Sequence, residues 1–130
     1  MSHDLFLAAK AAMANAYAPY SKFPVGAAIR TTDGRVFSGC NIEVASYPEG
    51  WCAETTALGH YIMGGGGEIA EIAVVAERMA RITPCGACRQ RLAEFAGADA
   101  KLHLCDDAGV VETVTMGAML PYGFEGGILK

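Results

Sequence analysis

Cys52, Cys85 and Cys88 are the residues of this chain whose types and spacing most plainly could do chemistry. Pro84-Cys85-Gly86-Ala87-Cys88 contains a Cys-x-x-Cys spacing, which lets two thiolates point at one ion, and Cys52 offers a third sulfur. Zinc takes such soft ligands in tetrahedral geometry at about 2.3 Å. Cys52 begins one helix-forming run, and Cys85 and Cys88 begin another. The positive end of a helix lowers a thiol pKa and favours the thiolate. Three protein ligands leave one tetrahedral position open, the mark of a catalytic rather than a closed structural centre. A water held there becomes a nucleophile near neutral pH and needs a proton carrier beside it. Glu54, two residues after Cys52 on the first turn of the same run, is spaced to carry that proton without being a ligand.

Other readings of these residues compete. A redox pair of the thioredoxin kind would leave Cys52 and Glu54 without a role. A closed structural zinc site would need His60, two turns along the helix, or His103, in mid-strand; for each, an ordinary core or surface histidine is the better reading. Cys40 and Cys105 fall in strand-like runs and read as small buried hydrophobes. The four glycines at 64–67 are not followed by the Lys-Ser/Thr of a phosphate loop.

The elements that must position these groups are legible from pattern. Residues 5–17 set Leu5, Ala8, Ala9, Ala12, Met13 and Ala16 on one helical face, with Pro19 closing the helix. Strands are expected at 25–31 and 36–42, joined through the Asp33-Gly34 hairpin signal. A helix over 52–63 is stopped by the glycine run, and a strand follows over 69–76. Pro84 leads a second central helix over 85–95. A strand at 101–105, a turn at 106–109, a strand at 110–115 and a short helical or irregular piece at 116–120 complete the order. Strands alternating with helices predict a mostly parallel sheet flanked by helices. The first pair must be an antiparallel hairpin, and the last pair is joined too briefly for a parallel crossover. The expectation is a mixed five-stranded sheet with its last strand antiparallel.

The 130 residues suit one domain, 1–130, and 52% hydrophobic against 18% charged residues excludes a disordered chain. A net charge of -4 argues against binding nucleic acid through phosphates. No apolar run approaches the roughly 18 residues that span a bilayer. Met1-Ser2-His3-Asp4 lacks a signal-peptide pattern, so a cytoplasmic location is expected, where an odd count of five cysteines points to metal, catalytic or buried thiols. Alanine and glycine supply 39 residues, which bury little area each, so support from a metal, from oligomerisation or from both is expected.

Cys52-Ala53-Glu54 followed by Pro84-Cys85-Gly86-Ala87-Cys88-Arg89-Gln90 resembles the zinc-dependent cytidine deaminases. The likeness extends to Ala18-Pro19-Tyr20-Ser21-Lys22-Phe23-Pro24-Val25-Gly26-Ala27-Ala28, to Gly39-Cys40-Asn41-Ile42-Glu43 with Ala45-Ser46-Tyr47, and to Leu120-Pro121 with Phe124. It covers almost the whole chain, at the length of the small homotetrameric branch. The resemblance implies a three-layer α/β/α cytidine-deaminase-like fold and hydrolytic deamination of cytidine and deoxycytidine to the uridines, in pyrimidine salvage. It implies one zinc per subunit on Cys52, Cys85 and Cys88, with Glu54 as proton shuttle. Asn41 and Glu43 would hold the ribose hydroxyls, Phe23 would lie near sugar and base, and backbone at Ala53 and Cys85 would read the base edge. Tyr47 and Phe124 would lie near subunit boundaries, Phe124 reaching a neighbour's base.

Two positions depart from the family pattern. Thr55 stands where tetrameric members commonly carry an arginine that bonds the thiolates, which leaves compensation to the helix N-termini and Arg89. Trp51, after Pro48-Glu49-Gly50, would reshape the base pocket or an interface. A deaminase of another aminopyrimidine nucleoside such as blasticidin S is the alternative, less favoured because Asn41-x-Glu43 suits an unmodified ribose. A non-catalytic zinc-binding protein is the alternative from another class, and the open coordination position and Glu54 argue against it.

Overall fold

The computed structural model describes residues 2–77 and 82–129. In chain order the elements are α1 (Ser2–Met13), β1 (Val25–Thr31), β2 (Val36–Cys40), α2 (Ala53–Met63), β3 (Ile69–Ala76), α3 (Gly86–Phe95), β4 (Lys101–Asp106), β5 (Gly109–Thr115) and the single-turn α4 (Met116–Met119). Short 3-10 turns lie at Tyr47–Glu49 and Gly126–Leu129.

The five strands form one sheet in the order β2-β1-β3-β4-β5. The expected mostly parallel sheet is corrected here: β3 and β4 run parallel, while the other three pairings are antiparallel. β1 inserts between β2 and β3 and runs against both. β2 and β3 therefore point the same way, and the helices that follow them, α2 and α3, begin at the same edge of the sheet. The last strand is antiparallel to β4, as its short turn requires.

Alternation along the strands sorts side chains into two layers. Ala27 and Ile29 of β1, Ile72, Val74 and Ala76 of β3, and Leu102 and Leu104 of β4 face α2 and α3 and form the larger core. Ala28, Ala73, Val75 and Cys105 face the other way and meet Leu5, Phe6, Ala9 and Met13 of α1. The sheet is thus covered on both faces, giving three layers. The buried stripe of α1 includes Phe6, with Ala8 and Ala12 only partly covered. The helix ends at Met13 rather than Tyr17, because the Tyr17 N–H turns away to the Asn41 carbonyl at 3.0 Å.

Two glycines set how closely the layers approach. A side chain at Gly26 would meet the Ala9 carbonyl oxygen at 2.0 Å, and one at Gly39 would meet the Ala57 backbone nitrogen at 2.4 Å. Bare backbone at these points lets α1 lie against β1 and α2 against β2. The glycine run ends α2: Gly65, Gly66 and Gly67 take positive φ angles, and Arg35 donates to the carbonyls of Gly64 at 2.8 Å and Gly66 at 2.6 Å.

Candidate metal and nucleoside site

Cys52 and Cys85 are the N-cap residues of α2 and α3, each extended in backbone just before its helix turns. Cys88 lies in the first turn of α3 and is buried. Because both helices start at one sheet edge, the three thiols converge, with all three sulfurs within 4.8 Å of one another and Cys52 Sγ 4.0 Å from Cys85 Sγ. A tetrahedral site with bonds of about 2.3 Å needs sulfurs about 3.8 Å apart, so the cluster fits zinc closely. The hydrogen bond between Cys88 and Cys52 holds the Cys52 thiol below its ordinary pKa and pushes Cys88 up, burial adding to the rise.

Glu54 follows in the first turn of α2 and is buried. Burial raises its carboxyl above the usual range, against opposing pulls from its own backbone, from Arg91 and from Cys88. A buried carboxyl of raised pKa beside a thiol cluster is suited to taking up and returning a proton. Ala53, between Cys52 and Glu54, is wholly buried.

A pocket of about 410 Å³ opens beside Cys52, bordered by Asn41, Glu43, Tyr47 and Trp51. The Tyr20 and Tyr47 rings meet edge-on at 5.9 Å along it. Asn41 and Glu43 are already engaged with the segment that leads into β1. Asn41 Oδ1 accepts from the Val25 N–H at 2.9 Å, and its amide donates to the Phe23 carbonyl at 3.0 Å. Glu43 accepts from the Tyr20 and Ser21 N–H groups at 3.0 and 3.1 Å and from the Ser21 hydroxyl. These bonds, the Ser21 hydroxyl first, hold the Glu43 carboxyl below the usual range. Phe23 is half-buried and packs against the α2-side core.

Phe124 lies apart from that pocket. It borders a second, mostly apolar groove with Trp51, Thr55, Ile62, Arg91 and Phe95, on the outer face of α2 and α3. The Gln90 side chain clamps it there: the Gln90 amide donates to the Phe124 carbonyl at 3.0 Å, and the Phe124 N–H donates to Gln90 Oε1 at 3.2 Å. Trp51 borders both cavities.

The expected compensating cation is corrected. Arg89 donates to the Met119 carbonyl at 3.1 Å, so it secures the C-terminal segment. Arg91 instead reaches one of the thiols, with Nη1 3.9 Å from Cys88 Sγ and 3.2 Å from the Thr55 hydroxyl. Its spacing of three from Cys88 puts the two on one helical face, a signal present in the sequence. The remaining histidines and cysteines stand elsewhere. His60 meets the Ser38 carbonyl at 2.7 Å, and buried His103 bonds Glu71 and Thr113, each at 2.8 Å. Cys105 is buried in the α1-side core and Cys40 is half-buried.

A family model described as the cytidine and deoxycytidylate deaminase zinc-binding region matches residues 1–103. A cytidine deaminase of Sporosarcina psychrophila is 42% identical over 92% of this chain and 88% of its own length. One from Halalkalibacterium halodurans is 46% identical over 84% of this chain and 83% of its own. The crystal structure of cytidine deaminase from Burkholderia pseudomallei superposes with a TM-score of 0.90 at 47% identity, covering 95% of this chain and 99% of that one. That from Mycobacterium tuberculosis gives 0.84 at 38% identity, covering 93% and 94%.

Proposed function

The chain belongs to the cytidine and deoxycytidylate deaminase family, and from that premise we propose that it hydrolyses cytidine and deoxycytidine to uridine and deoxyuridine, releasing ammonia. The observation that carries this reading is the three-thiol cluster with a buried carboxyl of raised pKa in the first turn of the helix that Cys52 caps. Cys52, Cys85 and Cys88 hold zinc, which when bound supplies the Lewis acidity that makes water nucleophilic near neutral pH.

Glu54 takes the proton from the attacking water, its burial favouring the protonated state. It passes that proton to N3 of the base, which makes C4 electrophilic, and the hydroxide adds to C4; Glu54 then carries the proton of the new C4 hydroxyl to the amino group, so that the C4 carbonyl forms, the C4–N bond breaks and ammonia leaves. Asn41 and Glu43 bind the sugar hydroxyls from the pocket wall. An amide has two N–H groups and a carboxylate about four lone-pair sites, so each keeps capacity beyond its bonds to the Tyr20–Val25 segment. Tyr47 and Phe23 flank the nucleoside, and the backbone at Ala53 reads the base edge. The role is pyrimidine salvage by a single cytoplasmic domain. Among the described residues no helix is long and apolar enough to cross a membrane.

The active form is a homotetramer in which Phe124 meets a neighbour's base. The reading is supported by the exposed apolar groove of α2 and α3, where Trp51 is 53% and Phe124 61% accessible.

The test is the loss of cytidine absorbance in the ultraviolet. Glu54→Gln lowers kcat by about 10²–10⁴-fold with zinc content unchanged, and Cys85→Ala loses zinc and activity together. Wild-type turnover in Glu54→Gln would remove the carboxyl from the mechanism. A panel of cytidine, deoxycytidine, cytosine and blasticidin S separates the substrate classes.

A further inference from the structure

Besides Glu54, the Thr55 and Arg91 side chains reach Cys88 from outside the thiol cluster. The Thr55 hydroxyl lies 3.8 Å from its sulfur, and Arg91 Nη1 lies 3.9 Å from it while donating to that hydroxyl at 3.2 Å. The three groups come from two helices, Thr55 from α2 and Cys88 and Arg91 from α3. Thr55 is therefore a strut that fixes where the guanidinium stands.

Charge explains why a cation belongs there. Three thiolates around a divalent ion leave one net negative charge, and the buried Glu54 carboxyl lies close by. Cys88 is wholly buried, so water does little to stabilise a charge on its sulfur. The N-termini of α2 and α3 each offer roughly half a positive charge. Thr55 offers a hydrogen bond and no charge. Arg91 offers a full charge that cannot be lost by deprotonation at any working pH.

We propose that Arg91, oriented by the Thr55 hydroxyl, is a positioning and charge-balancing residue of the metal centre that tightens its hold on zinc. The inference rests on the three-cysteine zinc reading. It adds a requirement that the three ligands alone do not carry. Neighbours that hold metal ligands in place commonly change metal affinity by about 10–100-fold, and Arg91 belongs in that range. Arg91 is exposed, so its influence passes partly through solvent and is screened by salt.

The test measures the zinc dissociation constant by competition with a chromophoric chelator, using purified full-length protein and zinc alone as probe. Circular dichroism serves as a check on folding. Wild type binds one zinc per chain, and Cys88→Ala loses it; failure of that pair would overturn the zinc reading itself. Arg91→Met is expected to weaken zinc by at least about tenfold. Arg91→Lys, which keeps the charge, recovers at least half of that loss on a logarithmic scale. The gap between Arg91→Met and wild type narrows at 1 M salt, where charges beyond about 3 Å are screened. Thr55→Val, which removes only the strut, falls between wild type and Arg91→Met and keeps the proposal testable where Arg91→Met folds poorly. Wild-type zinc affinity in Arg91→Met or Thr55→Val, or Arg91→Lys as weak as Arg91→Met, overturns the proposal while leaving the zinc reading intact.

Discussion

Glu43 gathers the Tyr20 and Ser21 N–H groups and the Ser21 hydroxyl onto one carboxylate, so its charge organises backbone as well as facing a pocket. The folded-state pKa is depressed, so the contribution is present above the ordinary glutamate range and is lost as pH falls through the lower folded value. The Tyr20 and Ser21 amide resonances should therefore titrate together below the ordinary glutamate value of 4.5. Flat resonances, or a common midpoint above that value, would refute the latch. At this scale the sequence was most informative where residue type restricts chemistry. Thiols and a carboxylate at fixed spacing from helix starts admit few uses, and Cys52, Glu54, Cys85 and Cys88 come together in the fold. Arg91 was missed because adjacency to Cys88 favoured Arg89, whereas helical geometry favours a spacing of three. Ser21 gave no signal, since a serine in a loop has many satisfactory partners.

Helices and strands were read well where a pattern had a hard stop. β1 and β3 have the bounds expected of them, 25–31 and 69–76. α2 and α3 start one residue late because Cys52 and Cys85 cap them rather than join them. The direction of β1 against β3 was not legible, because α2 skips over β1 to join two strands that are not neighbours. That arrangement depends on close approach at Gly26 and Gly39. Gly39→Ala should cost about 1–3 kcal/mol in thermal unfolding, since the methyl group meets helix backbone that cannot yield cheaply. It should also weaken zinc binding by shifting the start of α2. Gly97→Ala, where nothing lies within 4 Å, serves as the neutral control. Equal melting temperatures for the two variants would remove the packing argument.

The whole molecule spends its many small residues on tightness between layers rather than on core area, as Gly26, Gly39, Ala9, Ala27, Ala28, Ala53, Ala57 and Ala73 illustrate. Ile62 and Phe95 remain exposed on the outer face of α2 and α3. If the proposed tetramer uses this face, Ile62→Glu and Phe95→Glu convert it to smaller species in sedimentation, with a raised KM from the lost neighbour. A monomeric wild type, or full assembly of both variants, would refute that use of the face. The sequence expresses assembly only as an expected need, because residues that would meet across an interface carry no local spacing rule. The position of the thiols at two helix starts has one more consequence. Cys52 and Cys85 are 33 residues apart, and the chain between them contains all of α2 and β3. An ion gripping both acts as a suture across that loop, shortening the tether available to the unfolded chain. A covalent link of that span restricts chain entropy by about 4 kcal/mol, which sets the scale of the effect. Stripping the metal with a chelator should lower the melting temperature and speed amide exchange between the sutured ends more than in α1. Equal acceleration in both regions would mean that the ion stabilises the fold without binding those ends together.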